Sequence, residues 1–546
     1  MKRIVIFLAF SLSQSLIFVN AQETYINDRL TATEDVNGSS RYVGMGGALG
    51  ALGADLSVIS SNPAGMGLYR KSDVGITFGA VVPKNANGWS RNDSRTYNER
   101  LARPSFDQLG FVWSMKVTNS PIKFVNFSVN YQKKINYNHG FYADYANLGG
   151  LSQMDQVVEL ANGYDGNNNG LIDKGESYAT DWNLAGLAAD NNYLQQAPGT
   201  NQHYYNTFRG ESSTYTEHQR GSMQSFDMNI AFNVKDRFYA GATFGVDNVK
   251  YQQWNEYVEY NEDLTNPGTY GDYALYNDRE ITGSGLNAKL GIIVRPVEDN
   301  SFRFGITMES PTRYRLRSST LFDLTDLTQN PTVRSQNNKP TNIETVVRTP
   351  WRGRFSMGST VDKYFAWGLE YEFANTAKTL MGYPTWDDPG YQKYSNSKDR
   401  AMNEHTKNVM RAQHTVKAGI EVKPDDDFAI RLGYNFVSSR YKKNHDYDQY
   451  MLHDSEATDF LTSTEYMTLG ATNILTCGLG YKHKRFYADL AYKFRMQKAS
   501  FYPFDTNFTS SNEFATANPT IAGATLEPVN VDLNRHNVQL TLGFKF

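Results

Sequence analysis

The last eleven residues, His536 to Phe546, alternate without a break. Val538, Leu540, Leu542, Phe544 and Phe546 fall on one side, and Asn537, Gln539, Thr541, Gly543 and Lys545 on the other. A period of two means an extended strand with one apolar face and one polar or small face. A soluble sandwich shows the same alternation, so the argument rests on repetition. "FAWGLEYEF" sets Phe365, Trp367, Leu369, Tyr371 and Phe373 against Ala366, Gly368, Glu370 and Glu372. "FYADLAYKFR" sets Phe486, Ala488, Leu490, Tyr492 and Phe494 against Tyr487, Asp489, Ala491, Lys493 and Arg495. "IRLGYNF" puts Ile430, Leu432, Tyr434 and Phe436 outward. Charges on the second face are costly in lipid but sit easily in a wet lumen.

About fourteen such segments are expected, near 73–82, 105–117, 121–134, 223–234, 237–250, 281–296, 301–315, 345–360, 363–374, 410–423, 427–438, 471–484, 485–496 and 535–546. Each is long enough to cross a bilayer as a tilted strand, which takes roughly 9–11 residues. Short connections such as Lys235-Asp236 and Val361-Asp362 alternate with long ones, at about 83–104, 135–222, 251–280, 316–344, 375–409, 439–470 and 497–534. Short periplasmic turns and long extracellular loops have this asymmetry. The pattern predicts an all-β, antiparallel transmembrane barrel spanning residues 73–546.

Composition narrows the class. Residues 1–21 read as a secretory signal, with Lys2 and Arg3, an apolar run from Ile4 to Phe10, and Val19-Asn20-Ala21 before the cut. No later run is apolar and long enough for a spanning helix. Cys477 is the single cysteine, so no internal disulfide exists, and a net charge of -3 leaves no footprint for nucleic acid. The 36 Tyr and 31 Phe are many for a mean hydropathy of -0.56. Closed barrels satisfy every backbone group in lipid without a helix, and girdles of aromatic residues mark their two interfaces. The outer membrane is the expected location.

Residues 22–72 precede the first strand and are expected to enter from the periplasmic side and lodge in the bore. Their centre, "GMGGALGALGADLSVISSNPAGMGLYR", has little side-chain bulk. A helix through "GGALGALGADLSVIS" would present Leu49, Leu52 and Leu56 on one face, and Pro63 would end it. Gly44, Gly46 and Gly50 miss the dinucleotide-loop spacing, and no strand precedes them.

At these residues the chain resembles the FadL family of outer-membrane transporters for long-chain fatty acids and other hydrophobic compounds. The match covers Gly44 to Gly53, Ala54-Asp55 and Ser61-Asn62-Pro63-Ala64-Gly65, with "SPTRYRL" at Ser310 to Leu316. The resemblance implies an N-terminal hatch that plugs the barrel, with Gly46, Gly47, Asp55, Asn62, Pro63 and Ala64 as its gating residues. It further implies capture of a fatty acid or similar lipophilic molecule among the extracellular loops, movement of the hatch, and lateral exit through a gap in the third strand. Asn126 and Asn130 mark the candidate gap; ordinary lumen roles suit them equally. The implied partners are hydrophobic small molecules and the surrounding lipids and lipopolysaccharide, around a monomer. A surface-adhesion barrel and an outer-membrane lipid-modifying enzyme are the alternative readings. His-Glu-x-x-His, Gly-x-Ser-x-Gly and cysteine clusters are all absent from the sequence, and the chain is read as a non-enzyme.

One insertion carries a metal pattern. "DGNNNGLIDKGE" places Asp165, Asn167, Asn169, the Leu171 carbonyl, Asp173 and Glu176 at the positions of an EF-hand loop, with Gly170 at the turn. A structural Ca2+ is expected there, held weakly because two asparagines replace carboxylates. The flanking "LSQMDQVVELANG" and "ESYATDWNLAGLAA" are expected to be helical.

Overall fold

The computed structural model describes residues 22–31, 35–83, 103–162, 183–196, 204–206, 208–263, 271–328, 334–336, 341–386, 394–442, 461–506 and 521–546. Fourteen antiparallel strands close into a barrel. They are β1 (Asp73–Pro83), β2 (Arg103–Lys116), β3 (Ile122–Asn136), β4 (Phe208–Val234), β5 (Phe238–Asp263) and β6 (Tyr273–Val294). Next come β7 (Arg303–Glu309, then Arg313–Asp326) and β8 (Thr341–Arg348, then Arg352–Val361). The circuit is completed by β9 (Phe365–Asn375), β10 (Ala412–Val422), β11 (Phe428–Val437), β12 (Tyr466–His483), β13 (Phe486–Tyr502) and β14 (Arg535–Lys545). β14 pairs with β1 from Asp73↔Lys545 to Pro83↔Arg535, which leaves the ring no open edge.

The alternation decides which face meets lipid. Trp113, Phe244, Leu290, Phe355, Leu432, Leu479 and Leu542 are exposed on the outer wall, as are Leu369, Tyr371 and Phe373, Ile430 and Tyr434, and Phe486, Leu490 and Tyr492 of the three quoted segments; Phe365, Trp367, Phe436, Ala488 and Phe494 are half-buried. Lys289 lies between Leu290 and Ala288 in sequence, yet is fully buried because it faces the bore. Among the described residues no helix is long and apolar enough to cross a membrane; the crossing is made by strands.

Two features depart from expectation. The strands of one wall run far past the bilayer: β4, β5 and β6 have 27, 26 and 22 residues, against the roughly 9–11 a crossing needs. Much of the expected loops at 135–222, 251–280 and 316–344 is therefore sheet. Their outward positions turn polar (Glu256, Asp278, Glu280) above the lipid, so the alternation of apolar residues stops where the strand does not. β7 and β8 also break at adjacent places, Ser310–Thr312 and 349–351, where Pro311 and Pro350 have no N–H for the ladder.

Among the described residues there are also six α-helices: α1 (Gln22–Thr31), α2 (Ser40–Gly44), α3 (Val58–Ser61), α4 (Gln153–Asn162), α5 (Leu184–Asp190) and α6 (Arg400–Val409). α1, α4, α5 and α6 share one apolar core over the extracellular mouth, with Met154, Val157, Leu184, Leu187, Met402 and Val409 among its buried residues. α4 matches the helix expected before residues 165–176; of the one expected over 176–189, α5 gives only the last part from Leu184, with Asn183 as its extended cap, and residues 176–182 lie outside the described residues.

Candidate functional site

The bore is occupied by the chain's own leader, and its course differs from expectation at the outset. The leader does not enter from the periplasmic side. α1 lies at the extracellular end, where Arg29 Nη1 meets Glu217 Oε1 at 3.0 Å, on the part of β4 that stands above the membrane. Tyr25 stacks on Tyr441 and Tyr466, with centroids 5.6 and 5.2 Å away, and Tyr137 donates to Leu30 O at 2.8 Å. Residues 35–72 then descend through the lumen to start β1. A helix with buried Tyr25, Ile26 and Leu30 is more stable among the aromatic side chains of the mouth than in water.

Charge fixes the leader to the wall. Asp28 accepts from Arg440 Nε at 2.7 Å and from Tyr441 Oη at 2.5 Å. Burial raises its carboxyl above the usual range in spite of these partners. Asp35 behaves oppositely. Burial alone would raise it, but Arg535, Lys493 and Arg495 together hold it well below the carboxylate range. Lys493 Nζ lies 3.2 Å from Asp35 Oδ1 and also donates to Val36 O at 2.7 Å. Lower down, Arg41 reaches Glu421 at 3.1 Å, and Arg431 bridges Glu421 at 2.6 Å to Asp489 at 2.5 Å. The charged inward positions of β10, β11 and β13 are partners for the plug as well as a wet lining.

The glycine-rich centre is not a helix. Gly46, Gly47 and Gly53 have φ of 61°, 79° and 61°, and Ala54 has 53°, so the backbone repeatedly leaves the right-handed region. Only the short α2 and α3 and a 3-10 turn at Pro63–Leu68 are regular. Leu49, Leu52 and Leu56 are buried, but in two clusters: Leu49 and Leu52 with Tyr42, Val43 and Met45, and Leu56 with Ile59, Met66 and Tyr69. What the small residues permit is contact of backbone on backbone. A Cβ on Gly368 of β9 would lie 2.0 Å from Ala48 O, and one on Gly419 of β10 2.2 Å from Met45 O.

The remaining predicted hatch residues meet in the same knot. Asp55 is buried and accepts from Ser39 Oγ at 2.8 Å and from Ser57 N at 2.9 Å. Asn62 caps the 3-10 turn by accepting from Ala64 N at 3.1 Å, and its Nδ2 donates to Gly50 O at 2.9 Å. Pro63 therefore begins a turn as well as ending α3. Pro63 O accepts from Asn229 of β4 at 3.4 Å, and Ile59 O from Thr243 of β5 at 3.0 Å. Asn126 of β3 donates to Met66 O at 2.7 Å and Tyr69 O at 3.1 Å, while Asn130 bonds Gln108 and Gln132. Both asparagines face the bore. The β2–β3 ladder runs unbroken from Gln108↔Gln132 to Lys116↔Phe124, and β3 pairs with β4 through two bulges. The spaces beside the leader are polar: a cavity of about 40 Å³ lined by Asn37, Ser60, Gln132 and Lys417, and one of about 240 Å³ lower down beside Arg41, Asp55 and Glu421.

The fold has solved counterparts. A FadL homologue from Pseudomonas aeruginosa matches with a TM-score of 0.50 at 11% identity, over 94% of this chain and 99% of its own. The fold is that of FadL. The toluene transporters TodX of P. putida (TM-score 0.48, 10% identity) and TbuX of Ralstonia pickettii (0.45, 12%) each align over 94% of this chain and 99% of theirs. No family model and no curated protein matches the sequence.

Within this FadL-type barrel, Asp165, Asn167, Asn169, Leu171, Asp173 and Glu176 lie outside the described residues. Sequence reasoning missed two groups of site residues. α1 has alternating polarity but no strong apolar stripe, so nothing marked it as core. The carboxylates Asp28 and Asp35 of the leader lie more than 400 residues in the chain from their partners, Arg440 and Tyr441 just past β11 for the first, Lys493 on β13 and Arg535 on β14 for the second. The available signal was the coincidence of unpaired inward charges on several strands with acids and arginines in the leader.

Proposed function

We propose that this protein carries hydrophobic small molecules across the outer membrane, with the leader as a displaceable plug. One observation carries the reading: α1 fills an apolar chamber at the extracellular mouth, whereas the bore beneath it is polar. Tyr25, Ile26 and Leu30 take the place an apolar cargo would occupy among Tyr137, Phe141, Tyr251, Tyr441 and Tyr466. Such a chamber gains about 25 cal/mol per Å² of apolar surface removed from water, whichever apolar group fills it. A long-chain fatty acid is the simplest cargo of that kind; the toluene carried by proteins of the same fold is another.

Release follows from the same contacts. The 3-10 turn at Pro63–Leu68 backs onto β3, β4 and β5, whose outer side forms an apolar groove of about 610 Å³ lined by Trp113, Phe127, Met228, Phe244 and Leu290. Movement of that turn would free the inner side of the wall facing this groove, and we place lateral exit there. It requires parting of a ladder that is continuous at rest.

Tethering tests the reading. With cysteines at Arg29 and Glu217 joined by a cleavable cross-linker, uptake of labelled oleate and of toluene should stop, then return on cleavage. Cys477 faces lipid and does not compete. Undiminished uptake with the cross-link complete by mass spectrometry would refute the plug.

A further inference from the structure

Among the described residues, the outer wall carries a strongly charged area at a particular height. On β6 the outward side chains rise from the periplasmic turn as Val294, Ile292, Leu290, Ala288 and Leu286, and the apolar belt ends there; Ser284 and Thr282 follow. On β7 the outward residues are Phe304, Ile306 and Met308 below the break at Pro311, and Arg313, Arg315 and Arg317 above it. Arg313 stands opposite Leu286 on one side and opposite Arg348 of β8 on the other. Arg317 stands opposite Thr282, whose other neighbour is Lys250 of β5. All five cations are exposed. Trp351, 54% exposed, lies just below Arg348, where an aromatic ring marks the edge of the belt.

The arrangement is costly in isolation. Arg313 and Arg348 are direct cross-strand partners, about 4.5–5.5 Å apart at Cβ, and like charges so placed destabilise a sheet. Arg315 and Arg317 follow at roughly 7 Å steps on the same face. Glu344, which pairs with Arg317 through Nε at 3.0 Å, is an acid within the patch; Glu280 and Asp278 come higher on β6. At the corresponding height on the opposite wall stand Phe373, His414, Phe436, Asn473, Phe494 and His536, none a fixed cation. The patch faces away from the bore and cannot belong to the cargo path.

We propose that Lys250, Arg313, Arg315, Arg317 and Arg348 form a binding surface for the phosphate groups of outer-leaflet lipid. Planar guanidinium forks take phosphate oxygens two at a time. A rigid β wall holds them where the headgroups begin, with the acyl chains of the same lipid lying on Leu286, Leu290 and Met308 beneath. The phosphates supply counter-charge to Arg313 and Arg348, which face one another across the ladder. The proposal rests on the transmembrane reading and is independent of transport.

The test uses the full chain in phosphatidylcholine nanodiscs containing a small fraction of lipid A, with retained lipid counted by native mass spectrometry. The wild type should hold lipid A, and a diacylglycerol, lacking phosphate, should not be held. R313Q/R315Q/R317Q/R348Q should lose retention by more than ~10-fold, since each basic residue near an anionic surface contributes several-fold. The control K116Q/K123Q/K235Q/K482Q, at the periplasmic turns, should keep it. Folding is checked by heat-modifiable mobility; should the quadruple variant fail to fold, R313Q/R348Q and R315Q/R317Q should each give a partial loss. Equal loss in the control would reduce the effect to net charge and overturn the proposal. Retention unchanged in the arginine variants, or displacement by millimolar inorganic phosphate, would overturn it too.

Discussion

The leader is held by contacts that a single methyl group disturbs. At Gly368 and Gly419 the wall backbone touches the leader backbone, and a Cβ would lie 2.0–2.2 Å from Ala48 O and Met45 O. Overpacking of this kind costs typically 1–3 kcal/mol, and here the leader is the part able to move. Gly368→Ala should therefore expose the leader to added protease while the barrel keeps its heat-resistant mobility. Gly353→Ala is the matched control, because a Cβ there meets nothing within 4 Å. If both variants, or neither, expose the leader, the close-packing account fails. These two glycines look alike in the sequence; only the register of a third element against them sets them apart.

At the scale of elements, the extracellular cap couples α1 and α4 to the rim through buried carboxyls. Glu465 accepts from Asn255 at 2.7 Å and Tyr215 at 3.3 Å, beside the Glu217 that holds Arg29. Asp155, in the first turn of α4, accepts from Ser152 N and Asn206. Burial pushes each up to about 7. Both folded values lie above those of an exposed carboxyl, so their contribution is fully present below about pH 4. It is lost as pH rises through about 7. Hydrogen exchange in α1 and α4 should be slower at pH 5 than at pH 8, and Asp155→Asn with Glu465→Gln should flatten the difference. Equal protection at both pH values in the wild type would remove the coupling.

On the scale of the molecule, the barrel and the plug are separable. β14 closes on β1 through eleven register pairs, and each strand pairs with its neighbours without help from the leader. Deleting residues 22–72, with the signal joined to Asp73, should give a folded barrel with an open polar bore. Planar-bilayer recordings should then show ion conductance that the intact protein lacks. A deletion that fails to fold would make the leader part of the barrel's core, and one that folds but does not conduct would mean that the extracellular loops alone seal the bore.

Much of this was legible in residue order. Period-two alternation depends on local geometry alone, so the fourteen crossings, the lipid-facing side chains of "FAWGLEYEF" and the charged inner face could be read without a partner in view. The small residues at Gly44 to Gly65 likewise announced a segment of low bulk, though the helix expected there is absent and the segment's close backbone contacts needed the wall in place. The rest depended on the closed ring. Closure brings Asp35 to Lys493 and Arg535, and Arg41 to Glu421, across hundreds of residues, and no local pattern encodes such distances. It also carries α1 up to the mouth instead of leaving it below, because the aromatic chamber there exists only once the strands have met. Local sequence thus determined what each strand shows to lipid; the tertiary structure alone decided what fills the bore and how it is held.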